Sequence, residues 1–401
     1  MERFSRRSVV SMGLSAALGG GYASTAEGSP SDPARGSETP PPNGWGCNDG
    51  RSPQAVSTGS RRCPPPPLDV RGAIYLPARA FNTYQMWSDY DREVVERDFG
   101  YANRVNLNAI RTWVNYEYWN REPRDCAAKL EHLLSTAADE GMRVLLILFE
   151  GIGSRPTEDN LTDTDPQTAT SVASPGPSII RNRDRWDEPK RFANWVMDRH
   201  GDDERLLGIE VMNEPGWFEG KPAFTRAVLE ALDRREGSVP LTVGSTSMIN
   251  NVDYYEAGCD VLQFHYNFPI DATKFRDALR QVSIVERSME APVWLTEWQR
   301  IRSGRGSHAA PAEDERVPNY ASMAPHIHEA GFGNFFWSLM VKPAFNRSQR
   351  RKGVLNGLFH EDGAVWSRED ARAIKAMSGD PEFHGEKRQE WPEWAESARQ
   401  G

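Results

Sequence analysis

Eight short apolar runs, with amphipathic stretches between them, recur between Val70 and Met377. The runs are Val70–Leu76, Ala109–Trp113, Arg143–Phe149, Leu207–Met212, Leu241–Ser245, Val261–His265, Val293–Glu297 and Asn334–Leu339. They are rich in Val, Ile, Leu and Phe, as parallel strands covered on both faces must be. Helical stretches occupy Asp91–Arg104, Asp125–Glu140, Pro189–His200, Pro222–Arg235, Asp271–Met289, Tyr320–Ala330 and Arg368–Met377. Several open with Asp or Pro and close near Gly, with Gly141 and Gly331 the clearest stops. This alternation predicts an α/β chain closed into a (β/α)8 TIM barrel, a single domain over residues 68–379. An open doubly wound sheet needs a Gly-rich phosphate turn after its first strand, and Leu76-Pro77-Ala78-Arg79 is not one. The polar segment Ile152–Asp187 reads as a loop over the barrel mouth.

Composition narrows the partners. Against 48 bases stand 57 acids, a formal charge of -9, which opposes binding to nucleic acid. A mean hydropathy of -0.66 and the lack of any long apolar run exclude a stable membrane span. Residues 1–26 have the layout of an export signal: Arg3, Arg6 and Arg7, an apolar stretch Ser8–Tyr22, then small residues Ala23–Ala26. The Arg6-Arg7 pair resembles the twin-arginine type, which implies a secreted or cell-surface protein. Residues 27–67 form a Pro/Gly/Ser-rich linker, and 380–401 a polar tail that packs as a peripheral helix or stays loose. Cys47 and Cys63 are placed to close a small loop in an oxidising compartment. Four cysteines without His at ligand spacing argue against a zinc site, and nothing in the chain calls for a metal or organic cofactor.

In such barrels the reactive side chains come from the C-terminal ends of the strands. Here the second strand delivers Arg111, the fourth Asn213-Glu214, the sixth His265, the seventh Glu297 and the eighth Trp337. Two facing carboxyls suit glycosidic bond cleavage, one protonating the departing oxygen and the other attacking the anomeric carbon or activating water. Arg111 is expected to keep the attacking carboxylate ionised, Asn213 to hydrogen-bond a sugar 2-hydroxyl, and Trp337 to offer a flat face to a sugar ring. Taken singly, each residue has an ordinary structural explanation; their joint occurrence carries the case. Glu210 shares the strand parity of Glu214, and an ion pair with a core Arg is expected of it instead of chemistry.

The ordered set resembles clan A of the glycoside hydrolases, and most the cellulase and mannanase enzymes of family 5. Ile110-Arg111, Met212-Asn213-Glu214-Pro215, Phe264-His265, Leu295-Thr296-Glu297-Trp298 and Phe336-Trp337-Ser338 carry the resemblance. It implies a retaining hydrolase of β-linked glycans, of β-glucan or β-mannan type, with Glu214 as acid/base and Glu297 as nucleophile. It also implies that Arg111, Asn213, His265 and Trp337 hold substrate or tune the carboxylates. Two other readings stay open: a glycan-binding barrel without catalysis, and a transglycosylase using the same covalent intermediate.

Two positions depart from the family pattern. The family usually has His-x-Tyr on the sixth strand with the Tyr touching the nucleophile; here the series is His265-Tyr266-Asn267. Tyr266 has the opposite parity and faces away unless a bulge re-aims it. The third strand often ends in His in the family but here ends Phe149-Glu150, so Glu150 either binds a sugar hydroxyl or faces solvent beside Arg155. Trp217 and Trp298 flank the two key glutamates and are expected in sugar subsites. The first strand and its loop, Ala73–Trp87, crowded with polar and aromatic groups, either line subsites or cap the barrel with a small core of their own.

Overall fold

The computed structural model describes residues 69–216, 220–302 and 311–400. The export segment, the linker, Cys47, Cys63 and Trp217 therefore lie outside the described residues. Eight parallel strands form one sheet: β1 (Arg71–Ile74), β2 (Ala109–Trp113), β3 (Arg143–Glu150), β4 (Leu206–Asn213), β5 (Leu241–Gly244), β6 (Leu262–His265), β7 (Val293–Trp298) and β8 (Gly333–Phe336). Their spatial order is β5-β4-β3-β2-β1-β8-β7-β6. The remaining seam between β5 and β6 is bridged by parallel pairing of Thr242 with Val261 and by Thr242 Oγ1 donating to Val261 O. The sheet is a closed (β/α)8 barrel, as the eightfold alternation requires.

The barrel interior explains the glycines of β1, β4 and β8. A Cβ on Gly72 would meet the Phe335 ring at 2.2 Å, and one on Gly333 would meet Trp294 at 2.7 Å. Gly208 faces Leu145 and the far edge of Trp294. Small residues on some strands thus admit large rings from others, which fills the lower barrel with side chains. Above that apolar plug lies a polar layer of Arg111, Glu210, Thr242 and Gln263, all completely buried.

The helices follow the sequence pattern with small shifts at their ends. Arg92–Asn103 begins at Asp91, whose carboxylate accepts from the Glu93 and Val94 amides, and Ala272–Met289 is capped in the same way by Asp271. Tyr320–Ala330 is two elements: a 3₁₀ turn over Tyr320–Ser322 and an α-helix over Ala324–Ala330. Pro325 accounts for the division, because its missing N–H fits a first turn and not a helix interior. The six-residue helix Asn251–Glu256, between β5 and β6, is too short to leave a periodic signal.

The excursions above the barrel are structured. Residues 80–87 of the β1 loop are all buried, and Gln85 Nε2 donates to the carbonyls of Leu161 and Asp163. This segment is therefore a cap with its own core and not a row of open subsites. Ile152–Asp187 contributes short helices at Glu158–Thr162 and Pro177–Ile180, and the first of them packs on this cap. The polar tail docks as well. Val365 bridges Lys387, Trp394 meets Phe81 edge-on, and a 3₁₀ helix runs over Glu393–Gln400. No helix of the described residues is long and apolar enough to cross a membrane.

Candidate active site

The site stands on the C-terminal rim, where the strand register becomes irregular. Shifts fall between Glu210 and Asn213 against β5, between Phe264 and His265 against β7, and between Leu295 and Trp298 against β8. Such irregularities re-aim side chains that strict alternation would send outward. Asn213 and Glu214, adjacent in sequence, accordingly both reach the same polar cluster.

Arg111 anchors that cluster. Its Nε and Nη2 grip Glu210 at 2.8 and 2.6 Å, and Nη2 also donates to Asn213 Oδ1 at 2.7 Å. Gln263 Nε2 donates to Glu210 Oε2 at 3.2 Å and to Thr242 Oγ1 at 2.9 Å. Glu210 is thus the expected structural ion-pair partner, completely buried with its arginine. Gly244 on β5 makes the pair possible, since a Cβ there would lie 2.2 Å from Glu210 Oε1.

Glu214 leaves β4 with a φ of 44°, in the left-handed region that non-glycine residues enter at a cost. Its Oε1 lies 2.7 Å from His265 Nδ1. Burial pushes the Glu214 carboxyl up to about 7, against the pull of Arg111. Burial also drives His265 down to about 4, so the imidazole is neutral near neutral pH. Glu297 Oε2 sits 3.7 Å from the same His265 Nδ1 and 3.8 Å from Arg111 Nη1. Oε1 of Glu297 accepts from Asn267 Nδ2 at 2.9 Å, and Gln299 Nε2 braces the Asn267 carbonyl at 3.2 Å. Carboxylate oxygens of Glu214 and Glu297 come within 4.8 Å of each other.

Arg111 acts on Glu297 in the expected direction, as a cation 3.8 Å away that lowers its pKa, but without a hydrogen bond. Two of its three nitrogens are committed to Glu210 and Asn213. Nη1 has no hydrogen-bond partner among the described residues and stands beyond hydrogen-bond reach of Glu297. Burial raises the Glu297 carboxyl above its ordinary value, with Glu214 adding to the rise; His265, Arg111 and the Asn267 hydrogen bond pull it back only in part.

Glu214, His265 and Glu297 also form the kind of donor set that holds a metal ion. At 2.7 Å, however, the Glu214–His265 contact is a hydrogen bond; two ligands of one tetrahedral zinc, each ~2.1 Å from it, stand about 3.4 Å apart.

With this geometry in hand, comparison with known proteins is informative in one respect. No family model matches the chain, and no curated protein does. Solved structures do. An exo-beta-1,4-mannosidase from Opitutaceae bacterium strain TAV5 superposes with a TM-score of 0.55 at 17% identity, covering 77% of this chain and 58% of that one. A beta-galactosidase from the psychrophilic Marinomonas ef1 gives 0.52 at 11%, covering 77% and 58%. A glycoside hydrolase family 5 mannosidase from Rhizomucor miehei gives 0.51 at 14%, covering 77% and 92%. This chain therefore spans well under two thirds of the first two proteins. The likeness is one of fold.

Within that barrel, two sequence expectations change, those for Trp298 and Glu150, and the outward parity of Tyr266 holds. Trp298 is completely buried, edge-on to Tyr320 and Phe336, and its Nε1 donates to Asn334 Oδ1 at 3.0 Å. It is core between β7 and β8, not a subsite, because its parity is opposite to that of Glu297. Tyr266 leans on Phe275 of the helix Ala272–Met289, ring centroids 5.5 Å apart, so the bulge beside His265 does not re-aim it into the site. Glu150 does not face solvent beside Arg155. It is buried, and both its oxygens lie 3.0 Å from Asn213 Nδ2.

Trp337 meets Trp113 edge-on at 6.4 Å and Phe345 at 5.7 Å, forming an aromatic wall beyond β8. Asn267 is the residue that sequence reasoning undervalued. Its place two positions past His265 was the available signal, and the structure puts it against Glu297.

Proposed function

We propose that the protein is a retaining glycoside hydrolase acting on β-linked glycans of glucan or mannan type. The observation that carries this reading is the separation of Glu214 and Glu297. Retaining enzymes hold their carboxyls about 5–5.5 Å apart, whereas inverting enzymes need roughly 6.5–9.5 Å to admit a water. Carboxylate oxygens that approach within 4.8 Å support the first class.

In the first step a Glu297 oxygen attacks the anomeric carbon as the bond to the leaving oxygen breaks. Glu214 gives its proton to that oxygen, and a glycosyl ester forms on Glu297. Water then attacks the same carbon, Glu214 takes its proton, and the ester breaks to release a sugar of the starting configuration. The unequal surroundings of the two groups suit these roles. Burial raises both carboxyls. Glu214, pushed up to about 7, holds a proton at mildly acidic pH, while at Glu297 the neighbouring His265 and Arg111 and the hydrogen bond from Asn267 oppose the rise. His265, neutral, spans both carboxyls and orients them.

Neighbours that cleave β-mannosides and β-galactosides are consistent with a β-linked substrate. Export by the twin-arginine route to the exterior, where polysaccharides are met, completes the proposal. The test is reducing-sugar release from glucomannan, β-mannan, carboxymethyl-cellulose, mixed-linkage β-glucan and xylan, run beside Glu297→Gln. Release that vanishes in the variant supports the assignment and names the sugar. Release that persists in folded Glu297→Gln overturns it.

A further inference from the structure

We infer that Glu150 is a positioning residue for catalysis: it locks the Asn213 amide so that a single N–H donor faces the C2 substituent of the sugar. The inference rests on the glycosidase reading above. Asn213 has one acceptor and two donor hydrogens on its amide. The acceptor, Oδ1, is taken by Arg111 Nη2 at 2.7 Å. Its Nδ2 lies 3.0 Å from both Glu150 oxygens, a placement that lets one N–H point between them. A flipped amide would set its NH2 against the Arg111 guanidinium, so Arg111 fixes the orientation and Glu150 takes up one of the two N–H donors. One N–H remains for substrate.

The end of β3 also holds the main chain of the same pair. Gly151 N–H donates to Asn213 O at 2.7 Å, and a Cβ on Gly151 would stand 2.2 Å from Glu214 O. Glu150 is in turn fixed by the Ile152 amide, which donates to its Oε1 at 2.8 Å. It is 2% exposed and touches no open surface by which to bind a sugar itself. Burial raises its carboxyl to about 8, so the neutral acid is the form present near neutral pH, and Gln is its closest mimic.

The experiment crosses enzyme variants with substrate variants. Turnover of an aryl β-glycoside and of its 2-deoxy analogue is measured for the wild type, Glu150→Gln and Glu150→Met. The wild type should favour the 2-hydroxy substrate in kcat/KM, and Glu150→Gln should keep that preference. Glu150→Met should lose about tenfold on the 2-hydroxy substrate, the worth of one hydrogen bond, and little on the 2-deoxy one. Equal losses on both substrates would mark a merely structural residue and overturn the inference while leaving the glycosidase reading intact. Absence of wild-type turnover on any glycoside would overturn both.

Should Glu150→Met not fold, the amide spectrum of the wild type decides. One Asn213 side-chain proton should be shielded from solvent exchange, and the other should shift on binding the 2-hydroxy glycoside but not the 2-deoxy one. Two freely exchanging protons would contradict the lock.

Discussion

Asn267 donates an amide N–H to Glu297 across 2.9 Å, from the position where the resembled family carries a tyrosine. A carboxamide does not titrate, so this donor is present at every pH. A hydrogen bond to the charged carboxylate favours ionisation. Removing it in Asn267→Ala should therefore raise the Glu297 pKa and move the acid limb of the kcat/KM profile to higher pH. About tenfold of activity should be lost near the optimum. A profile with an unmoved acid limb would count against this role for Asn267.

Glu214 predicts a limb on the other side. A general acid must be protonated to act, and burial pushes Glu214 up to about 7. The alkaline limb of kcat/KM should fall near that value and disappear in Glu214→Gln assayed with an activated leaving group that needs no protonation.

The same shift makes a stability prediction. A carboxyl whose folded pKa lies above its unfolded value binds more protons when folded, so stability falls as pH rises from the unfolded pKa, ordinarily near 4.5, through about 7. Glu214→Gln carries no such cost. Its melting temperature should exceed that of the wild type by a few degrees at pH 8 and match it at pH 4.

Gly244 tests the Arg111 anchor without touching either carboxylate of the proposed reaction. Glu210 cannot retreat from an added Cβ, because Arg111 and Gln263 hold both its oxygens. Gly244→Ala should displace Arg111 and Asn213 and cost on the order of 100-fold in kcat, with the fold retained by circular dichroism. Unaltered kinetics would show that the Arg111–Glu210 pair tolerates movement.

For Trp298 the expectation is stability without specificity. Trp298→Phe loses the hydrogen bond to Asn334 and part of a buried ring. It should destabilise by about 1–3 kcal/mol and leave KM unchanged. A raised KM would return Trp298 to the substrate.

The barrel was legible because strands buried on both faces leave dense Val/Ile/Leu runs, and all eight appear within three residues of their expected ends. The rim residues Arg111, Asn213, Glu214, His265 and Glu297 were legible from their positions at those ends, and they meet in one cluster. The rest depended on what strict alternation does not encode. Trp298 and Tyr266 follow parity outward, while register shifts bring Asn213 and Glu214 inward together. The sequence left Glu150 between a sugar hydroxyl and solvent, but its partner Asn213 lies 63 positions away, a contact that only the closed barrel creates.

The most direct test of the central claim is trapping of the covalent intermediate. The protein is incubated with a 2,4-dinitrophenyl 2-deoxy-2-fluoro-β-glycoside matching the sugar it releases, and its intact mass and peptides are measured. The account predicts a gain of one fluoroglycosyl group, carried by the peptide containing Glu297 and absent from Glu297→Gln. Attachment to a different residue, or turnover of the natural glycan with inversion and no adduct, would contradict it.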